Sequence, residues 1–326
     1  MSGPRIAAFA YSAVGHACVK ALIEAGAAPV LVVTHEDDPG ETRWFPSVAE
    51  LARAHGIATE TAEIAQGRAV EQALQAAAPD LILSFYYRRM IPMRLLRTAR
   101  LGAFNMHGSL LPKYRGRAPV NWAVLHGESR TGVTLHEMVG RADAGRIVDA
   151  EAVPIDPDET AYEVMQKLVP AAVSVLTRQL PALLAGTPPL QVQDEAQATT
   201  FGGRGPEDGR IDWHRPATAV HDLVRAVAPP FPGAFSDVPA GDGADDGGGR
   251  RLMIWKSIRP AQRELLPVEG APGLVLSTTP FRVVTGGGIL EVADWSWADD
   301  GDPRPPAAGT VLPSGRPAAP ARADAG

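Results

Sequence analysis

Short, almost wholly apolar runs alternate with stretches of helical periodicity through the N-terminal third of the chain, and no other feature restricts the fold as much. Ile6–Ala10, Pro29–Thr34 (PVLVVT), Leu81–Tyr86 (LILSFY) and Ala103–His107 predict strands. Between them, Val14, Cys18, Leu22 and Ala25 recur at helical spacing, with Gly26 placed to close the helix. Val48–Ala54 and Val70–Ala78 predict two further helices. A strand that is apolar along its whole length must be buried on both faces. A mostly parallel, Rossmann-like sheet with helices on each side meets that demand, so the expected class is α/β.

Further along, Thr131–Met138 and Arg146–Val153 predict strands and Pro157–Leu184 a long helix, with Asp158 and Glu159 at its positive end. Pro170 and Pro181 are expected to kink or divide that helix. The composition then shifts. An N-terminal α/β domain over 1–195 gives way to a linker rich in Gly, Thr and Gln over 196–209. Ala217–Ala228 predicts a helix. Leu252–Lys256, Gly273–Ser277, Phe281–Val284 and Ile289–Val292 predict short strands, the last two joined at Gly286–Gly288. That spacing suggests a small OB-like β-barrel over 210–300. Gly241–Gly249 reads as a Gly/Asp loop, and the Pro/Ala-rich tail over 301–326 as disordered.

A chain of 326 residues has room for two full cores. Its 31 Lys and Arg against 37 Asp and Glu leave a net charge of −6, which argues against a nucleic-acid partner. Cys18 is the single cysteine, so no internal disulfide or Cys-based zinc site is possible, and it reads as a small buried residue. The eight histidines show no HExxH or short paired spacing, so no metal site is expected. No uninterrupted apolar run approaches the ~20 residues that span a bilayer, and Met1–Arg5 lacks the marks of a signal peptide. The expectation is a cytoplasmic protein with no membrane partner.

An α/β start raises the possibility of a dinucleotide site. The turn Ala10–His16 holds one glycine, Gly15, where three are needed to approach a pyrophosphate. Glu36, Asp37 and Asp38 then read as a solvated loop rather than a ribose-binding carboxylate.

Asn105 and His107 stand two apart on a predicted strand, so their side chains share one face. The strand ends at Gly108-Ser109, and the carboxyl edge of an open parallel sheet is where ligands bind. Asp143 falls in the break Arg141–Gly145 between two later strands. Amide, imidazole and carboxylate together suit acyl transfer to an amine. The amide can donate to a developing oxyanion, the imidazole can move a proton near neutral pH, and the carboxylate can orient it. Taken singly, each residue is more often a cap, a turn or a satisfied polar group; the weight lies in their coincidence. Ser109 has no evident base and Cys18 lies on a helix, so no covalent intermediate is required.

Asn105-Met106-His107, Ser109–Pro112, Tyr114–Gly116 and Asp143–Gly145 resemble the folate-dependent formyltransferases. The longer runs resemble the branch acting on UDP-4-amino-4-deoxy-L-arabinose, which implies lipid A modification and polymyxin resistance. They are Ser84–Arg88, HGSLLPKYRGRAP at His107–Pro119, GVTLHEM at Gly132–Met138 and RADAGRIV at Arg141–Val148, with Thr34-His35, Pro39–Glu41, Val224–Val227 and Pro232–Phe235. The resemblance covers roughly residues 5–295 and implies a standalone transferase with 10-formyltetrahydrofolate as donor and Asn105, His107 and Asp143 as the catalytic set. It implies that Arg89, Met90 and Ile91, then Arg117, then Val139, Gly140, Arg141 and Ala142 hold the folate. His107 is expected to donate a proton and face the oxyanion. The expected partner is a nucleotide-linked amino sugar; methionyl-tRNA, another nucleotide amino sugar or a natural-product amine are the alternative acceptors.

Overall fold

The computed structural model describes residues 3–36, 44–61, 68–238, 249–299 and 303–315. Asp37, Asp38, Pro39–Glu41, 241–248 of the Gly/Asp loop and 316–326 of the tail lie outside these. The chain forms two compact units, each discontinuous in sequence.

The first unit comprises Met1–Pro119, Arg130–Val153 and Met165–Thr200. Its sheet is built from β1 (Ile6–Ala10), β2 (Leu31–Val33), β3 (Ala58–Glu60), β4 (Leu81–Phe85) and β5 (Ala103–His107), and, after the short β6 (Arg115–Gly116), from β7 (Arg130–Glu137) and β8 (Ile147–Pro154). The order is β3-β2-β1-β4-β5-β7-β8. The first five are parallel, and β7 runs antiparallel to β5. Every residue of β1 and β4 is buried, as their unbroken apolar character requires. Its helices are α1 (Ser12–Glu24), α2 (Val48–Ala54), α3 (Arg68–Ala77), α4 (Met93–Leu96) and, from Met165 onward, α6 (Ala161–Ala185); α5 (Pro119–Leu125) belongs almost wholly to the second unit. Cys18 on α1 is fully buried. β3 was not legible in the sequence: its three residues are partly exposed and carry no apolar run.

The sequence also misleads at α6. It starts at Ala161 rather than Pro157 and runs unbroken for 25 residues through Pro170 and Pro181. Both prolines are exposed, while Leu168, Ala172, Val175 and Leu183 are fully buried. The carbonyls that lose a partner face water, and packing of the opposite side carries the helix past the break. By length and composition α6 could cross a membrane, with a window mean hydropathy of 1.5. Its apolar face is already covered by protein.

The second unit comprises Val120–Ser129, Pro154–Val164 and Phe201–Gly326. A five-stranded antiparallel sheet, in the order β10-β11-β14-β13-β12, holds β10 (Ala234–Val238), β11 (Arg250–Ile258), β12 (Val275–Thr278), β13 (Phe281–Thr285) and β14 (Gly288–Trp297), following the two-residue β9 (Thr200–Phe201). Register shifts between β11 and β14 add curvature, giving the small barrel-like domain. Helix α7 (Ala217–Val227) packs on it, over a core that includes Trp213, Val220, Ile254 and Leu290. Two segments that a division at 195 would leave with the first domain are captured by side chains here. Asn121 Nδ2 donates to the Ala226 carbonyl, and Trp122 Nε1 to that of Gly202. The buried Arg225 donates to the carbonyl of Glu159. A disordered tail from 301 does not describe 303–315: Leu312 is fully buried and Val311 bridges to Leu274.

Trp213 is fully buried and its Nε1 donates to Ser236 Oγ at 2.8 Å. Trp213→Ala should cost about 3–5 kcal/mol in denaturant unfolding, with Trp213→Phe losing clearly less, because the first leaves a large cavity.

Candidate active site

Asn105 and His107 leave β5 on the same face, and the antiparallel register sets Asn105 directly opposite His136 on β7. The Asn105 amide nitrogen lies 3.2 Å from His136 Nε2. An amide nitrogen only donates, so Nε2 accepts and the His136 proton sits on Nδ1. There it donates to the Glu137 carbonyl at 2.7 Å. His107 is buried. Its Nε2 donates to the Tyr114 carbonyl at 2.7 Å, and its Nδ1 faces Asp143 Oδ1 at 3.6 Å. Asp143 Oδ1 also lies 3.4 Å from His136 Nε2, and Oδ2 accepts the Gly116 N–H at 2.8 Å.

One carboxylate thus gathers two imidazoles and a backbone amide. Burial pushes the Asp143 carboxyl up. The charge of His107 and the Gly116 N–H, with the His136 ring alongside, outweigh it, and the group is held well below the usual carboxylate range. The backbone adopts φ 54° at Asp143, a left-handed conformation rare outside glycine, which turns the side chain back toward β5.

The segment between His107 and Pro119 is braced from inside. Ser109 is fully buried and its Oγ donates to the Lys113 carbonyl, which gives it a structural role and leaves it no base. Thr134 Oγ1 donates to the Ser109 carbonyl and accepts from Leu111 N. Arg115 is 1% exposed and forms hydrogen bonds to Gln193 Oε1 and to both carboxylate oxygens of Glu195. Gln193 Nε2 in turn donates to the Asp143 and Gly145 carbonyls.

The structure therefore brings Asn105, His107 and Asp143 together and adds His136, Arg115, Gln193 and Glu195, which the sequence reading missed. His136 stands within GVTLHEM, two residues after Thr134 on the same strand face. Only the pairing of β7 with β5 makes it a neighbour of Asn105. Of the residues expected to hold the folate, Ile91 is buried in a core cluster against which Met138, next to Val139, also packs. Met90 and Val139 are exposed large apolar residues, at 62% and 38%. Gly140 and Ala142 are exposed on the same loop as Arg141, which donates to Glu195 at 3.0 Å. Arg89 and Arg117 are exposed as well.

A carboxyl group depressed in the folded state contributes stability that is complete above its unfolded value of about 3.9 and is lost as pH falls through the folded one. Asp143→Asn should therefore be less stable than wild type at neutral pH. The gap should begin to close at about pH 4 and keep closing below it, in denaturant unfolding measured across that range. A gap independent of pH would remove Asp143 as the source.

Residues 5–180 match the formyl transferase family, and residues 205–300 match the formyl transferase C-terminal domain. Among solved structures, the sugar 3N-formyl transferase WlaRD, determined with dTDP and 5-N-formyl-THF, is 17% identical. Its TM-score is 0.66, over 90% of this chain and 98% of that one. An N-formyltransferase from Helicobacter canadensis, in complex with folinic acid and dTDP-3-aminofucose, is 17% identical with a TM-score of 0.64, over 90% and 99%. HypX from Aquifex aeolicus, in complex with tetrahydrofolic acid, is 19% identical with a TM-score of 0.59, over 90% of this chain and 44% of that one. At these identities the likeness is one of fold. The two family matches, laid over that fold and the clustered Asn105, His107, His136 and Asp143, make the chain a member of the formyl transferase family.

Proposed function

We propose that the protein transfers a formyl group from 10-formyltetrahydrofolate to the amine of a nucleotide-linked amino sugar. UDP-4-amino-4-deoxy-L-arabinose is the acceptor we favour, with the lipid A modification and polymyxin resistance it implies. The observation that carries the reading is the gathering of His107, and of Asn105 through His136, about the buried Asp143 carboxylate in a chain of this family. The acceptor rests on the HGSLLPKYRGRAP and RADAGRIV runs. Methionyl-tRNA is the poorer acceptor for a chain of net charge −6.

The exposed Met90 and Val139 suit the flat face of a pterin, and Arg89 and Arg117 suit the carboxylates of a folate tail. The donor supplies an activated formyl amide, whose carbonyl oxygen becomes an oxyanion when the amine attacks. Asn105 spends one amide N–H on His136 and has a second for that oxyanion. His107 has Nε2 committed to the Tyr114 carbonyl, so it acts through Nδ1 and the charge that Asp143 stabilises, rather than as a direct Nε2 donor. The Asp143–His107 pair takes the proton that the amine loses and returns it to the departing folate nitrogen. The reaction needs no other proton source.

His107→Ala and Asp143→Ala should each lower turnover by about 10²–10⁴ with folate binding retained. Near-wild-type turnover in both would remove the assignment. For the acceptor, 10-formyltetrahydrofolate should be offered with UDP-, dTDP- and GDP-linked amino sugars, and with methionyl-tRNA, and the products weighed. Formylation of the UDP-arabinose amine is expected. The dTDP ligands of the two sugar transferases of similar fold make dTDP sugars the second reading. Formylation of those alone would overturn the acceptor and leave the chemistry standing.

A further inference from the structure

His136 is buried beside the three residues assigned to the reaction, and both of its ring nitrogens are engaged. Its Nδ1 lies 2.7 Å from the Glu137 carbonyl. A carbonyl only accepts, so the ring proton belongs on Nδ1, and Nε2 of the neutral ring is a bare lone pair. Nε2 has two polar neighbours, the Asn105 amide nitrogen at 3.2 Å and Asp143 Oδ1 at 3.4 Å. The carboxylate has no hydrogen to offer, so the Asn105 N–H fills the lone pair. The opposite tautomer would exchange the 2.7 Å bond for a 3.4 Å contact with Asp143 and deprive the Glu137 carbonyl of its donor.

The consequence falls on Asn105. A terminal amide has two broad orientations that exchange its N–H groups for its oxygen. Turned over, the Asn105 amide would set that oxygen against the Nε2 lone pair, acceptor against acceptor. His136 stands directly opposite Asn105 on β7, so it holds the nitrogen end toward itself. Asn105 is half-buried while the His136 side chain is 2% exposed, which leaves Asn105 as the group that can meet a ligand. The Glu137 carbonyl is closed in by Gly145, where any Cβ would collide with its oxygen. Gly145 comes two residues after Asp143, and Gln193 holds its carbonyl. The stretch that carries the aspartate thus also packs against the oxygen that selects the tautomer.

We propose that His136 is a positioning residue for formyl transfer. Held as the Nδ1–H tautomer by the Glu137 carbonyl, it fixes the Asn105 amide so that the remaining N–H meets the oxyanion. The proposal rests on the formyl-transfer reading above.

Two substitutions in the full chain separate the ring nitrogens. His136→Gln keeps an oxygen near Nε2 that can accept from Asn105. His136→Asn keeps an N–H near Nδ1 for the Glu137 carbonyl and leaves nothing at Nε2. With whichever nucleotide amino sugar the wild type formylates, His136→Asn should lower kcat by about ten- to a hundredfold, with the KM for 10-formyltetrahydrofolate unchanged. That is less than the loss of about 10²–10³ when an oxyanion donor itself is removed. His136→Gln should recover most of it. In an Asn105→Ala background His136→Asn should cost nothing further, because the two residues act as one unit. Equal losses in both backgrounds would give His136 a structural role and overturn the proposal. So would wild-type turnover in His136→Asn, or a His136→Gln variant as slow as His136→Asn. Nitrogen NMR of the wild-type chain with isotope-labelled histidine reads the tautomer without any activity. The His136 signals, identified by their loss in His136→Gln, should show a protonated Nδ1 and a bare Nε2; a protonated Nε2 overturns the proposal. Failure of the wild type on every amino sugar would instead overturn the formyl-transfer reading, with the tautomer left standing.

Discussion

The site is organised by a carboxylate that has been taken largely out of water. Asp143, with a side chain 12% exposed, would be costly to bury ionised and alone. The fold surrounds it with the Gly116 N–H, His107 and His136, each from a different segment. Those partners fix the two imidazoles and, through His136, the Asn105 amide. The chemistry therefore follows from an electrostatic need: a buried negative charge calls for positive and donor groups, and the groups that answer can also move protons.

Holding Asp143 in place requires a second buried charge. Arg115 is almost wholly enclosed, and a guanidinium there needs a carboxylate and filled hydrogen bonds. Glu195 supplies the first and Gln193 the rest, and Gln193 extends the network to the Asp143 and Gly145 carbonyls. Arg141 joins Glu195 from the loop that carries Asp143. The proline segment and the aspartate loop are thus tied to one short stretch of chain near residue 195. Backbone strain gathers in the same region. Of the six non-glycine residues with positive φ among those described, Tyr114, Ala118 and Asp143 lie in these segments, and Ser12 and Tyr86 follow β1 and β4 at the same edge of the sheet. Strain of this kind persists where surrounding structure over-determines it.

Much of the fold could be read in advance where the signal was local. β1 and β4 show as apolar runs because both faces of a central parallel strand are buried. β3 sits at the sheet edge and lacks that mark. α6 defied its prolines because both fall on the exposed side, a fact about packing rather than propensity. The ordered residues near Leu312 could not be told from the Pro/Ala-rich chain around them, since one buried leucine leaves no periodicity.

The site divides along the same line. That Asn105 and His107 share a strand face and point toward a ligand edge follows from their spacing alone, because side chains alternate with a period of two. Family motifs added Asp143. Tertiary structure alone decided that His136 faces Asn105, since the antiparallel register of β7 against β5 is set by a partner 31 residues away. It alone turned His107 Nε2 onto the Tyr114 carbonyl, and it alone joined Arg115 to Gln193 and Glu195 across 78 and 80 residues. Contacts at such separations leave no periodic trace in the chain. They arise because burying Arg115 and Asp143 is favourable only where distant groups arrive to satisfy them.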